Sequence, residues 1–527
     1  MQTLPSLSGV PEFCTDTPFY RGCLSKEVST DFLLPDYYGD IHRVLSVTAN
    51  ARIDDSYATQ DALDFSGSVD FSVLYLTEEG HLRALSFSDG FDGDVEISGL
   101  DRECDCSVLP TVESAACRVQ SPRKLTAKCR LSIAVTATHE VCLAPAFDGH
   151  YTTEEEASMQ YDRTEVSAMS AMQLVTRDLS VAEAFTLDEN APPIGEITCS
   201  RATMHVEECR ATAGELSCRG TLLLSLLYRV EGTEETEHYA EVFRKLPFTA
   251  AVPADALSAD YACRAVATVT DCKVVPETNA YGEMKTIALD LSYDLLALCA
   301  VNLPRTLTRD AFSTKYPTII TEAPLAVTRF AGHRETAFSE TETKPRTAIG
   351  AEGASSVLSV LGEVRADDLL YDAEKHRLVF HGKANLTLLF LCGETEALAD
   401  AAVTVPLHCE LPLSGEALTG EQFIANCTLL AATAKLEAEQ VVISVEVALG
   451  VTLTTTETVS MVEKMALDTA APYARDDAAL RLCYPSAGTP LWEIAKTYHT
   501  APDAILTANK LTVSDVQSAP FLLIPCL

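Results

Sequence analysis

The side chains best suited to chemistry in this chain are its eighteen cysteines. Their spacing gives no metal signature: no Cys-x-x-Cys occurs, and the closest pair is Cys104-x-Cys106. A zinc site drawn from Cys104, Cys106, Cys117 and Cys129 would have suitable ligand atoms. Burial is the more economical reading. Cys129, Cys199, Cys218, Cys263, Cys299 and Cys427 sit in strand-like runs, where a free thiol packs as a small hydrophobe. A disulfide framework belongs to short, cysteine-dense chains, and this one has 527 residues. The expectation is free thiols, with no metal and no cofactor.

The eleven histidines are scattered. His376 and His381 lie close together, but five positions apart on a strand they point to opposite faces. The carboxylate pairs Asp54-Asp55, Glu207-Glu208 and Asp367-Asp368 recur at what reads as a strand end before a turn, the place of solvated turn residues. There is no Gly-x-Ser-x-Gly, no phosphate-binding Gly-rich loop with Lys and no His-Glu-x-x-His. Nothing marks an enzyme. The formal net charge of −37 argues against nucleic acid, whose binding needs clustered Lys and Arg, and against anionic membrane surfaces. The apolar share of 47% and mean hydropathy of +0.09 are enough to fill several cores. Residues 1–10 have no basic and apolar signal-peptide pattern, and no apolar run approaches the ~18 residues of a membrane helix. The expectation is a soluble, intracellular protein.

The elements are organised by one stretch that occurs three times, at 63–76, 216–229 and 378–391. Gly67, Gly220 and Gly382 hold the same place in each. One parity reads Val69, Phe71, Val73, Tyr75, then Leu222, Leu224, Leu226, Tyr228, then Ala384, Leu386, Leu388, Phe390. Period-two alternation marks a strand buried on one face, and a Gly there fits a bulge or a close backbone approach. The spacing of further strands and turns predicts a mainly β chain of three repeated antiparallel, sandwich-like modules at 34–145, 194–303 and 351–456. Residues 1–33 read as an N-terminal extension. Residues 146–193 and 304–350 read as connecting segments, either flexible linkers or strands leading into the next module; they share the echo Val175-Thr176-Arg177 and Val327-Thr328-Arg329. Residues 457–479 read as a linker with helical potential, ending in Asp476-Asp477.

The last segment, 480–527, has a β-α-α-β pattern. Leu480 to Tyr484 suits a strand. Thr489 is a candidate N-cap with Pro490 at the first helical position. Leu491, Ile494, Ala495 and Tyr498 share one helix face. A second helix starts after Thr500-Ala501-Pro502 and ends at Asn509-Lys510, with Asn a natural left-handed residue. Leu523-Ile524-Pro525 closes with a strand. The segment is formally neutral, so recognition would rest on apolar contact, with Leu491 and Trp492, the only tryptophan, as candidate anchors.

Leu491-Trp492-x-Ile494-Ala495-x-x-Tyr498-x-Thr500, Ile505-x-x-x-Asn509-x-Leu511 and Leu523-Ile524-Pro525 together resemble a LysM domain. LysM domains commonly bind N-acetylglucosamine glycans in a shallow groove. The resemblance puts that groove at Gly488, Thr489, Pro490, Leu491, Trp492, Asn509, Lys510, Leu511 and Thr512. The usual Gly-Asp before the first helix is here Gly488-Thr489, and the usual Gly-Gln before the last strand is replaced by Gln517-Ser518-Ala519-Pro520. Leu34-Pro35-Asp36, Asp40-Ile41, the Gly-anchored strand ending in Leu74-Tyr75-Leu76, and Ser121-Pro122-Arg123-Lys124-Leu125 resemble the SPOCS (DUF3794) repeat of sporulation and coat proteins. Residues 310–317, Asp-Ala-Phe-Ser-Thr-Lys-Tyr-Pro, are similar to a segment often seen between such repeats. The two resemblances together imply a mother-cell adaptor at the forespore surface. Its partner would be the coat morphogenetic ATPase, stage IV sporulation protein A, bound through the LysM-like domain. The alternative is a peptidoglycan-binding protein of the cortex or wall.

Overall fold

The computed structural model describes residues 13–102, 104–232, 237–393, 396–413, 421–474, 478–486 and 488–526. Residues 1–10 and Asp476-Asp477, on which the sequence reading drew, lie outside them. Module 1 stacks the sheet β1 (Phe13–Leu33), β6 (Lys124–Leu143), β5 (Asp105–Ser121) on the sheet β2 (Ile41–Thr59), β3 (Ala62–Thr77), β4 (Leu82–Glu96). The short β7 (Ala146–Phe147) and α1 (Thr153–Ala157) lead into module 2. It contains β8 (Met159–Thr186), β9 (Ile194–Thr212), β10 (Glu215–Val230), β11 (Tyr239–Pro253), β12 (Ala262–Thr278) and β13 (Met284–Ser313). Here the two sheets join into one, in the order β11-β10-β9-β12-β13-β8. Module 3 pairs β14 (Thr318–Pro345), β19 (Gln440–Leu467), β18 (Glu421–Leu436) and, opposite, β15 (Ala354–Asp372), β16 (Arg377–Cys392), β17 (Ala397–Pro412). All ladders within the modules are antiparallel, and no sheet of the described residues closes into a barrel.

The triplicated stretch is β3, β10 and β16, the centre of its sheet in modules 1 and 3 and an inner strand in module 2. Its inward parity fills the space between sheets: Tyr75, Tyr228 and Phe390 are all buried in the three module cores. The three glycines answer one constraint. Opposite each, the partner strand carries a bulge residue, Asp54, Glu207 or Asp367, that pushes its backbone inward. A Cβ on Gly67, Gly220 or Gly382 would meet the carbonyl oxygen of Arg52, His205 or Arg365 at 2.4, 2.0 or 2.5 Å. The carboxylate pairs are therefore not turn residues. The bulge re-aims the first acid of each pair toward the residue after the glycine. Ser68 Oγ lies 3.4 Å from Asp54, Thr221 Oγ1 donates to Glu207 at 2.5 Å, and Lys383 Nζ pairs with Asp367 at 3.1 Å.

Several boundaries move. The extension at 1–33 contains β1, which pairs with β6 along its whole length. The connecting segments are strands: β8 runs beside β13, and β14 beside β19. The linker at 457–479 begins as the last third of β19, which is extended and not helical through Leu467. These strands lie at sheet edges and bury few residues, so their apolar periodicity is faint. The shared Val-Thr-Arg echo is not register-equivalent: Thr176 faces Leu295, whereas Thr328 faces Thr456.

The outward parity of the triplicated stretch joins the modules. Leu74, Leu227 and Leu389, equivalent in the repeat, meet in one apolar hub with Leu82, Tyr239, Leu398, Cys199, Leu358 and Leu361. Polar contacts close a ring around it. Modules 1 and 2 are joined by Arg83–Glu237 at 3.0 Å, modules 2 and 3 by Ser359 Oγ donating to Glu241 at 2.7 Å, and modules 3 and 1 by Arg43–Asp400 at 2.6 Å. Away from the hub, the pairs β1–β6, β8–β13 and β14–β19 run on as ribbons. They gather around Phe13, Ala168, Leu307, Leu325, Val327 and Met461, forming a three-ribbon stalk.

Candidate functional site

The C-terminal segment folds as β20 (Leu480–Cys483), α2 (Leu491–Thr497), α3 (Pro502–Asn509), a 3-10 turn at Val513–Ser518 and β21 (Leu522–Pro525), with β20 and β21 antiparallel. The β-α-α-β pattern follows from a small core of Cys483, Leu491, Ile494, Ala495, Ile505, Val516, Leu522 and Ile524. Two details differ from the sequence reading. Pro490 is the N-cap of α2, with no side-chain cap, so the helix starts one residue later, at Leu491. The left-handed residue after α3 is Lys510, at φ 56°. Asn509 ends the helix and works sideways instead. Its amide nitrogen donates to Leu523 O at 2.7 Å, and its amide oxygen accepts from Leu523 N at 2.7 Å, so one side chain adds a strand-like pair to β21.

The nine groove positions divide into two sets. Gly488, Pro490, Lys510 and Thr512 are exposed, and Thr489 is half-buried. Thr512 caps the 3-10 turn through a reciprocal box with Asp515, whose carboxyl is held below its usual range by those hydrogen bonds. Leu491 is buried in the domain core, and Leu511 packs against it. Trp492 turns toward the body. Its ring packs edge-to-face on Phe312 at 4.9 Å between centroids, and its Nε1 donates to Asp310 Oδ2 at 2.8 Å. Lys496, one turn along α2, pairs with the same carboxylate at 2.7 Å. Burial raises the Asp310 pKa, but hydrogen bonds from Lys496 and Trp492 outweigh it, and the net shift is downward. On the other side, His499 stacks on Tyr473 at 3.5 Å, and Tyr473 N donates to Lys315 O at 2.9 Å.

The tail is thus seated on the end of the β13 ribbon. Asp310 and Phe312 were not read as site residues. The one signal for them was the similarity of residues 310–317 to inter-repeat segments, and the structure makes that segment the seat of the C-terminal domain. Ser313, also in it, hydrogen-bonds Ser158 at 2.6 Å, tying the seat to α1. Among the described residues sixteen cysteines are free thiols, while Cys142, on β6, is disulfide-bonded. That one bridge departs from the free-thiol expectation. Among the described residues no group of His, Cys, Asp and Glu is arranged to hold a metal ion, and no helix is long and apolar enough to cross a membrane.

Fold and site define the class: a ring of repeated β sandwiches carrying a small βααβ domain on a β stalk. Residues 40–120 match the family model described as SipL, SPOCS domain, so module 1 is SPOCS-like and points to a sporulation-related role. The matched span runs from the start of β2 to the end of β5 and includes the central strand, its glycine and its bulge. No curated protein and no solved structure matches the chain.

Proposed function

We propose that the chain is a non-enzymatic adaptor in spore-coat assembly. The ring of modules is its scaffold, and the C-terminal LysM-like domain engages a coat morphogenetic ATPase of the stage IV sporulation protein A type, at the forespore surface in the mother cell. The match of module 1 to the SipL SPOCS domain carries this reading. The tail supports it in a second way. Its aromatic anchor is spent within the chain on Phe312 and Asp310. Glycan binding through a free Trp492 face is correspondingly disfavoured, and Thr489, Pro490, Lys510 and Thr512 are left to meet a protein surface. The test uses the full chain. Thr489→Arg and Lys510→Glu should each weaken binding to the ATPase at least tenfold while leaving the melting temperature unchanged. Cosedimentation with peptidoglycan that both variants abolish, with no ATPase binding by the parent chain, would support the glycan reading instead.

A further inference from the structure

Four cysteines form a row across module 2. Cys218 on β10 faces Cys209 on β9, and Cys263 on β12 faces Cys299 on β13. The seam between the two sheets is bridged by Arg210 and Ala262, so in antiparallel register Cys209 and Cys263 are neighbours across it. The row therefore runs Cys218, Cys209, Cys263, Cys299 over four consecutive strands. The Cys209 and Cys218 sulfurs lie 2.6 Å apart, inside van der Waals contact, and the Cys263 thiol, facing Cys299, donates to Tyr261 O at 3.8 Å. In each pair one member is buried, Cys218 or Cys299. The other, Cys209 or Cys263, lines a recess of about 110 Å3 between modules 2 and 3, together with Arg264, His333 and Arg334.

Reactive cysteines are partly exposed, as Cys209 and Cys263 are where they line the recess, among the cations Arg264 and Arg334 and the carboxylates Glu207, Glu208 and Glu335. Within each pair the facing thiol lowers one member, Cys218 or Cys263, and raises the other. At about 110 Å3 the recess has room for a few water-sized molecules, each taking about 30 Å3.

We propose that these pairs are a peroxide-oxidisable site, forming the cross-strand disulfides Cys209–Cys218 and Cys263–Cys299 and thereby locking the seam of module 2. Cys263, the lowered and partly exposed thiol, reacts first. Its sulfur attacks one oxygen of hydrogen peroxide. The S–O bond forms, the O–O bond breaks, and the departing hydroxide takes the Cys263 proton and leaves as water. The Cys299 sulfur then attacks the Cys263 sulfenic acid. The S–S bond forms, the S–O bond breaks, and a second water leaves with the Cys299 proton. Two thiols and one peroxide become one disulfide and two waters, and Cys209 with Cys218 consumes a second peroxide with the same balance.

The test is peptide mapping of the full-length chain under non-reducing conditions, before and after stoichiometric hydrogen peroxide, with zinc content measured on the untreated protein. The expected result is loss of four thiols as those two disulfides, and a higher melting temperature that dithiothreitol reverses. Cys209→Ser should lose the first bridge and keep the second, and Cys263→Ser the reverse. If the serine variants do not fold, mapping of the parent chain still decides. Four thiols left reduced while the exposed Cys23 is oxidised would overturn the proposal. So would a Cys209–Cys263 crosslink, or one equivalent of bound zinc.

Discussion

Modules 1 and 2 share strand order, central glycine and bulge, and differ at one seam. In module 2, β9 and β12 touch and the two sheets become one. In module 1 the equivalent edges, β2 and β5, run side by side without a ladder pair, next to a recess of about 530 Å3 lined by Ser56, Tyr57, Ala58, Thr59, Leu63, Arg102, Cys104 and Cys106. The row that is four cysteines in module 2 is Phe65, Ser56, Cys106 and Ala137 in module 1, and Phe380, Leu369, Phe423 and Leu453 in module 3. A phenylalanine stands at the central-strand position of this row in modules 1 and 3, whose edges make no ladder pair, and a cysteine in module 2, whose edges make one. The repeat therefore fixes the scaffold, and the smaller row is the difference that accompanies the joined seam.

The largest expected effect tests what the modules share. At Gly220 a Cβ meets two backbone atoms, His205 O at 2.0 Å and Val206 Cα at 2.9 Å; at Gly67 it meets one carbonyl and the Phe91 ring, which can turn aside. Gly220→Val should cost about 3 kcal/mol or more, the upper range of overpacking, and Gly67→Val less. Urea denaturation of both variants checks the order, and equal losses would break the comparison. Next, Cys218→Phe gives module 2 the phenylalanine of the module 1 row. It should cost about 1–3 kcal/mol by overpacking and open the Arg210–Ala262 seam, seen as at least tenfold faster amide exchange around Cys263. Unchanged exchange would separate seam closure from side-chain size.

A smaller effect concerns the tail, which is seated on the end of β13 and on Tyr473, beyond the end of β19. Asp310→Asn keeps the shape of the seat and removes its charge. With Lys496 41% exposed, the ion pair is partly screened, and the loss should be about 1 kcal/mol. Trp492 is the only tryptophan, so its emission should shift red on undocking. The Asp310 pKa lies below its ordinary value of 3.8. A depressed carboxylate stabilises above the unfolded pKa, and that contribution is lost as pH falls through the folded one. The parent emission should hold steady from pH 7 to pH 5 and shift only below about pH 4. A shift already complete above pH 5 would show that a group other than Asp310 governs docking.

What was legible follows from burial. The triplicated stretch could be read because its alternation is enforced by a core on one face. The three glycines could be read because only a bulge or a close approach explains them. The stalk strands could not: β8 buries Met159 and Ala168 and little else, so edge pairing, which leaves no hydrophobic period, holds it in place. The carboxylates Asp54, Glu207 and Asp367 were misplaced because a bulge interrupts the two-residue period much as a turn does. The tail's fold was legible from its helix face, but its seat was not. Asp310 and Phe312 lie about 180 residues from Trp492, and nothing local marks a contact between them.

The smallest effect isolates one position of the ring. Leu74, Leu227 and Leu389 face Ala84, Glu241 and Asp400 in register, so module 2 places a carboxylate where module 1 has a methyl group. Glu241 Oε1 accepts from Ser225 Oγ and from Ser359 Oγ of module 3, each at 2.7 Å. Burial raises its pKa above the ordinary 4.5, and the two serines with Arg201 recover only part of the shift. A raised pKa favours the protonated form when folded, so its stabilisation is present below about pH 4.5 and is lost as pH rises through the folded value. Glu241→Gln keeps the accepting oxygen and removes the charge. It should leave stability at pH 4.5 nearly unchanged and raise it at pH 7 by about 1 kcal/mol or less, flattening the slope between the two. Denaturation at both pH values reads this directly. A loss at pH 7 would mean that the ionised carboxylate, through Arg201, is what holds modules 2 and 3 together.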